Sequence, residues 1–139
     1  MLLNKENITK IIPQQHPFVM VDSLIIADKT GFKSTFKVLD NNIFFNDGKL
    51  QEPALIENIA QTVAAGFGFI DNLNNEKPKV GYIGGISKLK IHHLPELNSE
   101  IETSIVHLYQ FENIHLVKGE SFSNGERLME CEMKIVVQE

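Results

Sequence analysis

Pro53-Ala-Leu-Ile-Glu-Asn-Ile-Ala-Gln-Thr-Val-Ala-Ala-Gly-Phe-Gly-Phe-Ile70 is the most apolar helical stretch of the chain, and a single carboxylate, Glu57, sits inside it. Apolar residues run nearly all round this helix, which predicts burial on most of its faces, and Pro53 suits a first helical turn. Moving an ionised carboxylate into a low-dielectric core costs several kcal/mol unless it is paired. Glu57 must therefore find a partner or keep its proton, and a carboxyl that keeps its proton near neutral pH is a general acid.

Upstream of the helix, Leu3 to Ile12 carries a weak helical pattern closed by Pro13, followed by a polar elbow, Gln14-Gln15-His16-Pro17. Phe18 to Ile26 is rich in β-formers and Asp28-Lys-Thr-Gly31 is turn chemistry. Phe32, Ser34, Phe36 and Val38 then alternate with Lys33, Thr35 and Lys37, so this region predicts a first hairpin. Phe44-Phe45 and Asn46-Asp47-Gly48-Lys49 make a loop that leads into the helix.

Downstream, Asp71 to Lys79 is a polar connection, and Val80 to Ile91 predicts a strand around Gly84-Gly85, where glycine marks a bulge or a close approach by backbone or ligand. Glu100 to Tyr109 and Ile114 to Phe122 predict a strand pair. Asn124-Gly125 is a hairpin signal before Met129, Cys131, Met133, Ile135 and Val137, which alternate with Glu130, Glu132, Lys134 and Val136. One hairpin, one buried helix and several meandering strands predict an α+β domain with a mostly antiparallel sheet.

At 139 residues and 42% hydrophobic content, the chain suits one packed domain spanning 1–139. A net charge of -5 without long charge blocks argues against nucleic acid or an anionic membrane as partner. No apolar run reaches the roughly 20 residues needed to span a bilayer, and residues 1–7 lack a signal-peptide core, so the expected location is the cytoplasm. The lone cysteine, Cys131, agrees with a reducing compartment, and on the apolar side of its alternation it reads as core rather than nucleophile.

Ile12-Pro13-Gln14-Gln15-His16-Pro17-Phe18-Val19-Met20-Val21-Asp22 resembles the opening motif of hotdog-fold 3-hydroxyacyl-(acyl carrier protein) dehydratases, Pro-His-Arg-x-Pro-Phe running into an apolar stretch that ends in Asp. Phe44-Phe45 and Leu55-Ile56-Glu57-Asn58-Ile59-Ala60-Gln61 resemble the second motif, a Phe-Phe loop before a helix reading Leu-x-x-Glu-x-x-Ala-Gln, and Tyr82 to Ile91 resembles the strand that follows. The chain departs from the fatty-acid enzymes in two places. Asn46 to Pro53 is shorter than their Gly-His-Phe-Pro-Gly loop and has no histidine, and Gln14 stands where their first motif has one. The shortened loop is similar to the dehydratase-like proteins of aryl polyene and flexirubin pigment clusters.

The resemblance implies a hotdog fold, a curved antiparallel sheet wrapped around one long helix, and loss of water from a 3-hydroxyacyl thioester to give a trans-2-enoyl thioester without a cofactor. It also implies an acyl carrier protein as partner and a homodimer or larger assembly, or a heterodimer with another hotdog subunit. Glu57 is then the general acid that protonates the leaving hydroxyl, against a plainer role as a helix carboxylate bonded to Gln61. His16 is the candidate base for the α-proton, against a plainer role as an elbow residue. Gly84, Gly85 and Gln61 are candidate substrate-binding residues. Lys88 and Lys90 are candidate contacts for an acidic carrier. His92 and His93, consecutive in a strand, are expected on opposite faces, His107 and His115 are expected at a surface or sheet face, and no metal site is expected. The alternatives are a non-catalytic subunit that supports a paired dehydratase, and an acyl thioesterase, an activity that recurs on the same fold.

Overall fold

The computed structural model describes residues 1–138. A short 3-10 turn (Ile8–Lys10) precedes β1 (Ser23–Ala27), β2 (Gly31–Lys37), a small hairpin of β3 (Phe45–Asn46) and β4 (Lys49–Leu50), and the helix α1 (Glu52–Leu73). Four long strands follow: β5 (Gly81–Ile91), β6 (Glu100–Phe111), β7 (Ile114–Ser123) and β8 (Glu126–Val137). Six of the strands form one antiparallel sheet in the order β1-β2-β6-β7-β8-β5. The helix packs chiefly against β1, β2, β6 and β7. This is the hotdog arrangement, with the α+β class and the helix both where the sequence pattern puts them.

Alternation accounts for the sheet. Phe32, Ser34, Phe36 and Val38 are buried while Lys33 and Lys37 are exposed, and on β8 Met129, Cys131, Met133 and Ile135 are buried against the exposed Lys134. Asn124 and Gly125, at φ 51° and 78°, turn the chain between β7 and β8 in the left-handed conformation that hairpin turns require. In α1 the residues Leu55, Ile59, Val63 and Ala65 are fully buried.

Two elements differ from expectation. Of Leu3 to Ile12 only Ile8–Lys10 is helical, because three polar residues, Asn4, Lys5 and Glu6, occupy its start and form a turn, with the Asn4 side-chain oxygen accepting from the Glu6 and Asn7 amides. The first strand begins at Ser23 rather than Phe18, although Val19, Met20 and Val21 are buried. Phe18 to Met20 lies against the helix, whose side chains take the backbone hydrogen bonds that a sheet neighbour would otherwise take. No helix among the described residues is long and apolar enough to cross a membrane.

Close helix-on-sheet contact depends on glycine. A Cβ at Gly66 would stand 2.3 Å from ring carbons of Phe32, and one at Gly119 would stand 2.7 Å from Ile59. Phe32 in turn meets Phe67 edge-on, with ring centroids 5.3 Å apart. Alanine at position 66 brings about 1 kcal/mol of helix propensity, but forcing the Phe32 ring aside costs about 1–3 kcal/mol. Gly66→Ala is therefore expected to lower the unfolding free energy in urea, whereas a stabilised variant would mean that the ring moves without strain. Burial, aided by Glu132, pushes the Cys131 thiol up to about 11. Ellman's reagent is expected to leave the native protein untouched at pH 8 and to titrate one thiol after denaturation, and rapid native labelling would contradict this placement in the core.

Candidate active site

The Phe18–Met20 segment is tied to α1 by two side-chain amides. Asn58 donates to the Met20 carbonyl at 2.7 Å, the Gln61 side-chain oxygen accepts from the Met20 amide at 2.6 Å, and Gln61 Nε2 donates to the Phe18 carbonyl at 2.9 Å. Asn58 and Gln61 have no solvent exposure. Thr103 on β6 donates to Asn58 Oδ1, and Thr62 donates to the Asn58 carbonyl while paired with Ser34 at 2.7 Å. Every polar atom named here is satisfied, which is what makes a polar network tolerable in a core.

Glu57 stands at the edge of this network. Gln61 Nε2 also donates to Glu57 Oε1 at 3.1 Å, one helical turn away, so the carboxyl is held by the same amide that grips Phe18. The structure places Glu57 half-buried rather than in the core. It belongs to the helix face of Glu57, Ala60, Ala64, Phe67 and Asp71, spaced three and four residues apart, whose Phe67 also meets Phe32 of β2. Along that face runs a cavity of about 480 Å³, walled opposite by Ile83, Ile135 and Val137. A second hollow of about 440 Å³, lined by Phe18, Phe44 and Ile56, meets the first at Glu57. A carboxyl at the junction of these two hollows can act on a substrate threaded between them.

The other candidates fall differently. Gln61 lines neither hollow, because both ends of its amide are engaged with Phe18, Met20 and Glu57. His16 is exposed and lines a separate hollow with Asp22, Lys37 and Asn42, so one chain does not bring it to Glu57. Gly84 sits at the shift in β5–β8 register between Ile83 and Gly85, and an added Cβ there would meet Val136 at 3.1 Å. Neither Gly84 nor Gly85 lines the Glu57 cavity, although Gly81, Tyr82 and Ile83 just before them do. Lys88 is exposed at a second irregularity in β5 and pairs with Glu132 at 3.1 Å.

The expectation that His92 and His93 occupy opposite faces of a strand is corrected. The strand ends at Ile91, both amides turn to the Leu128 carbonyl, and both side chains line one surface hollow, where His92 meets Glu130 at 2.9 Å. His92 is the leading cause that holds the Glu130 carboxyl below its ordinary range, with Arg127 assisting.

Sequence reasoning leaves two features of the cavity unassigned. Gln14 lines it. At the opposite end His115 of β7 lies 3.1 Å from His107 of β6 and against the Phe67 ring, 4.7 Å between centroids. Burial, with the neighbouring His107, lowers the His115 titration below its usual value and favours the neutral ring. Phe67 is ten residues from Glu57 along the helix, about 15 Å at 1.5 Å per residue, so this pair serves the far end of the cavity rather than the carbons next to Glu57.

Comparison with known proteins places this geometry in a family. The ApeP-like model, described as ApeP dehydratase, matches residues 6–139. A 3-hydroxyacyl-(acyl-carrier-protein) dehydratase FabZ of Clostridium novyi (strain NT) is 29% identical over 142 residues, covering 99% of both chains, and one of Clostridium botulinum (strain Okra / Type B1) is 30% identical over 109 residues, covering 74% of both. Among solved structures, the dehydratase heterocomplex ApeI:P from Xenorhabdus doucetiae is similar with a TM-score of 0.87 at 19% identity, covering 95% of this chain and 91% of that one. A hypothetical thioesterase from Streptococcus pneumoniae TIGR4, solved with coenzyme A, gives 0.68 at 11% identity, covering 84% of each. The structural likenesses establish the hotdog fold, and the match over residues 6–139 together with the sequence relatives establishes that the chain belongs to the ApeP-like branch of the 3-hydroxyacyl-(acyl-carrier-protein) dehydratase family.

Proposed function

We propose that the protein removes water from 3-hydroxyacyl thioesters borne on acyl carrier protein, giving trans-2-enoyl thioesters in polyene-type or fatty-acid-type chain synthesis in the cytoplasm. The observation that carries this reading is Glu57, half-buried at the junction of two hollows and oriented by Gln61, in a chain of the dehydratase family. The substrate's acyl chain lies along Ala60, Ala64 and Phe67, and Glu57 gives its proton to the 3-hydroxyl as the carbon–oxygen bond breaks. A base takes the α-proton, and the electrons of that bond become the new double bond. His16 fills this role only where a second subunit carries it to Glu57, because within one chain it faces another hollow.

A second subunit has an evident place to dock. β5 closes one edge of the sheet, pairs only with β8, and is exposed along all eleven residues, including Tyr82, Ile83, Ile86, Leu89 and Ile91. A long, apolar, unprotected edge strand invites strand-to-strand association. Tyr82 and Ile83 also wall the Glu57 cavity, so a partner on β5 completes the site. Light scattering on the purified chain is expected to show a dimer or larger assembly, with Ile86→Pro shifting it toward monomer. A wild type that is monomeric at high micromolar concentration would instead point to a different hotdog subunit as partner.

The absence of a histidine in 46–53 favours one alternative, a supporting subunit of a paired dehydratase. Mass spectrometry of a 3-hydroxyacyl carrier protein incubated with the protein separates the readings. Loss of water that drops by at least about 100-fold in Glu57→Gln is the expected result. Loss of water only in the presence of a second subunit, unaffected by Glu57→Gln, would overturn the catalytic role of this chain, and release of free acid would indicate a thioesterase.

A further inference from the structure

We propose that His115 is a specificity-determining residue that sets the reach of the acyl chain: an apolar chain end gains affinity only until it meets the open ring nitrogen of His115, and a longer chain is accepted where its end carries a hydroxyl. This rests on the dehydratase reading above, in which the acyl chain runs along Ala60, Ala64 and Phe67. Sheet register builds the far end of that path. Gln110, His115, Ile135 and Ile83 are successive partners across β6, β7, β8 and β5, so they form one row across the sheet, and all four line the cavity. The row changes character along its length, from the apolar Ile83 and Ile135 to the polar His115 and Gln110.

The His115 ring is held in place yet only half paired. Its Nδ1 meets His107 Nε2 at 3.1 Å, and the Phe67 ring lies 4.7 Å away between centroids. Its Nε2 has no hydrogen-bond partner among the described residues and, unlike the unpartnered oxygens of Gln14, Ser121 and Ser123, is open to solvent. In the neutral ring, which burial and His107 favour, Nε2 is a donor where Nδ1 accepts from His107 and an acceptor where Nδ1 donates. A hydroxyl suits both cases because it donates and accepts. A methyl group suits neither.

Two opposing effects then decide chain length. Each methylene laid against Ala60, Ala64 and Phe67 tightens binding about fourfold, the effect of taking one such group out of water. A methyl end pushed over Nε2 strips a polar nitrogen of water and returns no hydrogen bond, which weakens binding about tenfold. Phe67 stands about 15 Å along the helix from Glu57, so the limit falls far from the reacting carbons. His115 thus selects which chains are held and leaves the chemistry at Glu57 untouched.

The test measures, by calorimetry on the full chain in its assembled state, the affinity for saturated acyl-pantetheines of even length from butanoyl to hexadecanoyl, each below its micellar concentration. None of these ligands has a 3-hydroxyl, so none is consumed. Affinity is expected to climb with length and then to stop climbing or fall. His115→Leu is expected to let the climb continue, tightening the first ligand beyond the stop about tenfold, and His115→Asn, which keeps a hydrogen-bonding group, to retain the stop. At that length the wild type is expected to bind the ω-hydroxylated ligand about tenfold more tightly than the methyl-ended one, a preference that His115→Leu erases. His115→Met repeats the test if the Leu variant does not fold. An uninterrupted climb in the wild type, a stop that survives in the folded apolar variant, or an ω-hydroxyl that brings no gain would each overturn the proposal. The dehydratase reading fails separately, through absent turnover of the carrier-bound substrate by the wild type, which leaves the length profile readable.

Discussion

The hydrogen bonds from Asn58 and Gln61 to the backbone at Phe18 and Met20 are the constraint on which the site depends. An extended segment packed on a helix has no neighbouring strand to take its amides and carbonyls, and leaving them unpaired in a core costs about 1–3 kcal/mol each. Two side-chain amides three residues apart on one helix face supply the missing donors and acceptor. Thr103 and Thr62 then hold Asn58 from the sheet side and from the next turn of the helix. This ties together three parts of the chain that are far apart in sequence: the segment that follows Gln14 and His16, the helix, and β6.

The same network sets the position of Glu57. Gln61 Nε2 is shared between Phe18 and Glu57, so the orientation of the carboxyl is linked to the placement of the N-terminal segment. Helix packing does the rest. With α1 pressed onto β1, β2, β6 and β7, the elongated cavity remains between the Glu57, Ala60, Ala64 and Phe67 side of the helix and the β8 and β5 end of the sheet. Small residues, Ala60 and Ala64, keep that face low, and glycine at 66 lets the helix settle on Phe32 so that its other side stays open. Cavity and core are thus two consequences of one choice of where the bulky residues of the helix point.

Most of the fold was legible because it rests on periodicity. The helix, the β1–β2 hairpin, the Asn124-Gly125 turn and the strands after Val80 all follow from local patterns of burial and turn chemistry. Phe18 to Asp22 was misread because β-forming residues look alike in a sheet and in an extended segment laid on a helix; the difference lies in Asn58 and Gln61, about forty residues away. Gln61 was read as a ligand residue for a related reason, since its motif position does not disclose that its amide is already committed to backbone. The pairing of His107 with His115 depends on β6–β7 register and on the irregularity between His107 and Tyr109, neither of which a single strand reveals. His92 and His93 were assigned opposite faces by extending strand alternation past Ile91, where the pairing stops.

In the proposed reaction the division of labour around the carboxyl suits an acid, rather than a second histidine, at position 57. A dehydratase needs its proton donor beside a hydroxyl that is a poor leaving group until it is protonated, and needs the base on the other reacting carbon. In the proposed reaction one chain supplies the first of these, Glu57 with Gln61 to orient it. The histidine candidate for the second lies in a different hollow, and the wall of the cavity is unfinished along β5. An incomplete wall and a separated base have the same remedy, a neighbouring subunit laid against the exposed edge strand. Such an arrangement would make the proposed chemistry conditional on assembly, since an isolated chain holds Glu57 but leaves its cavity open along β5.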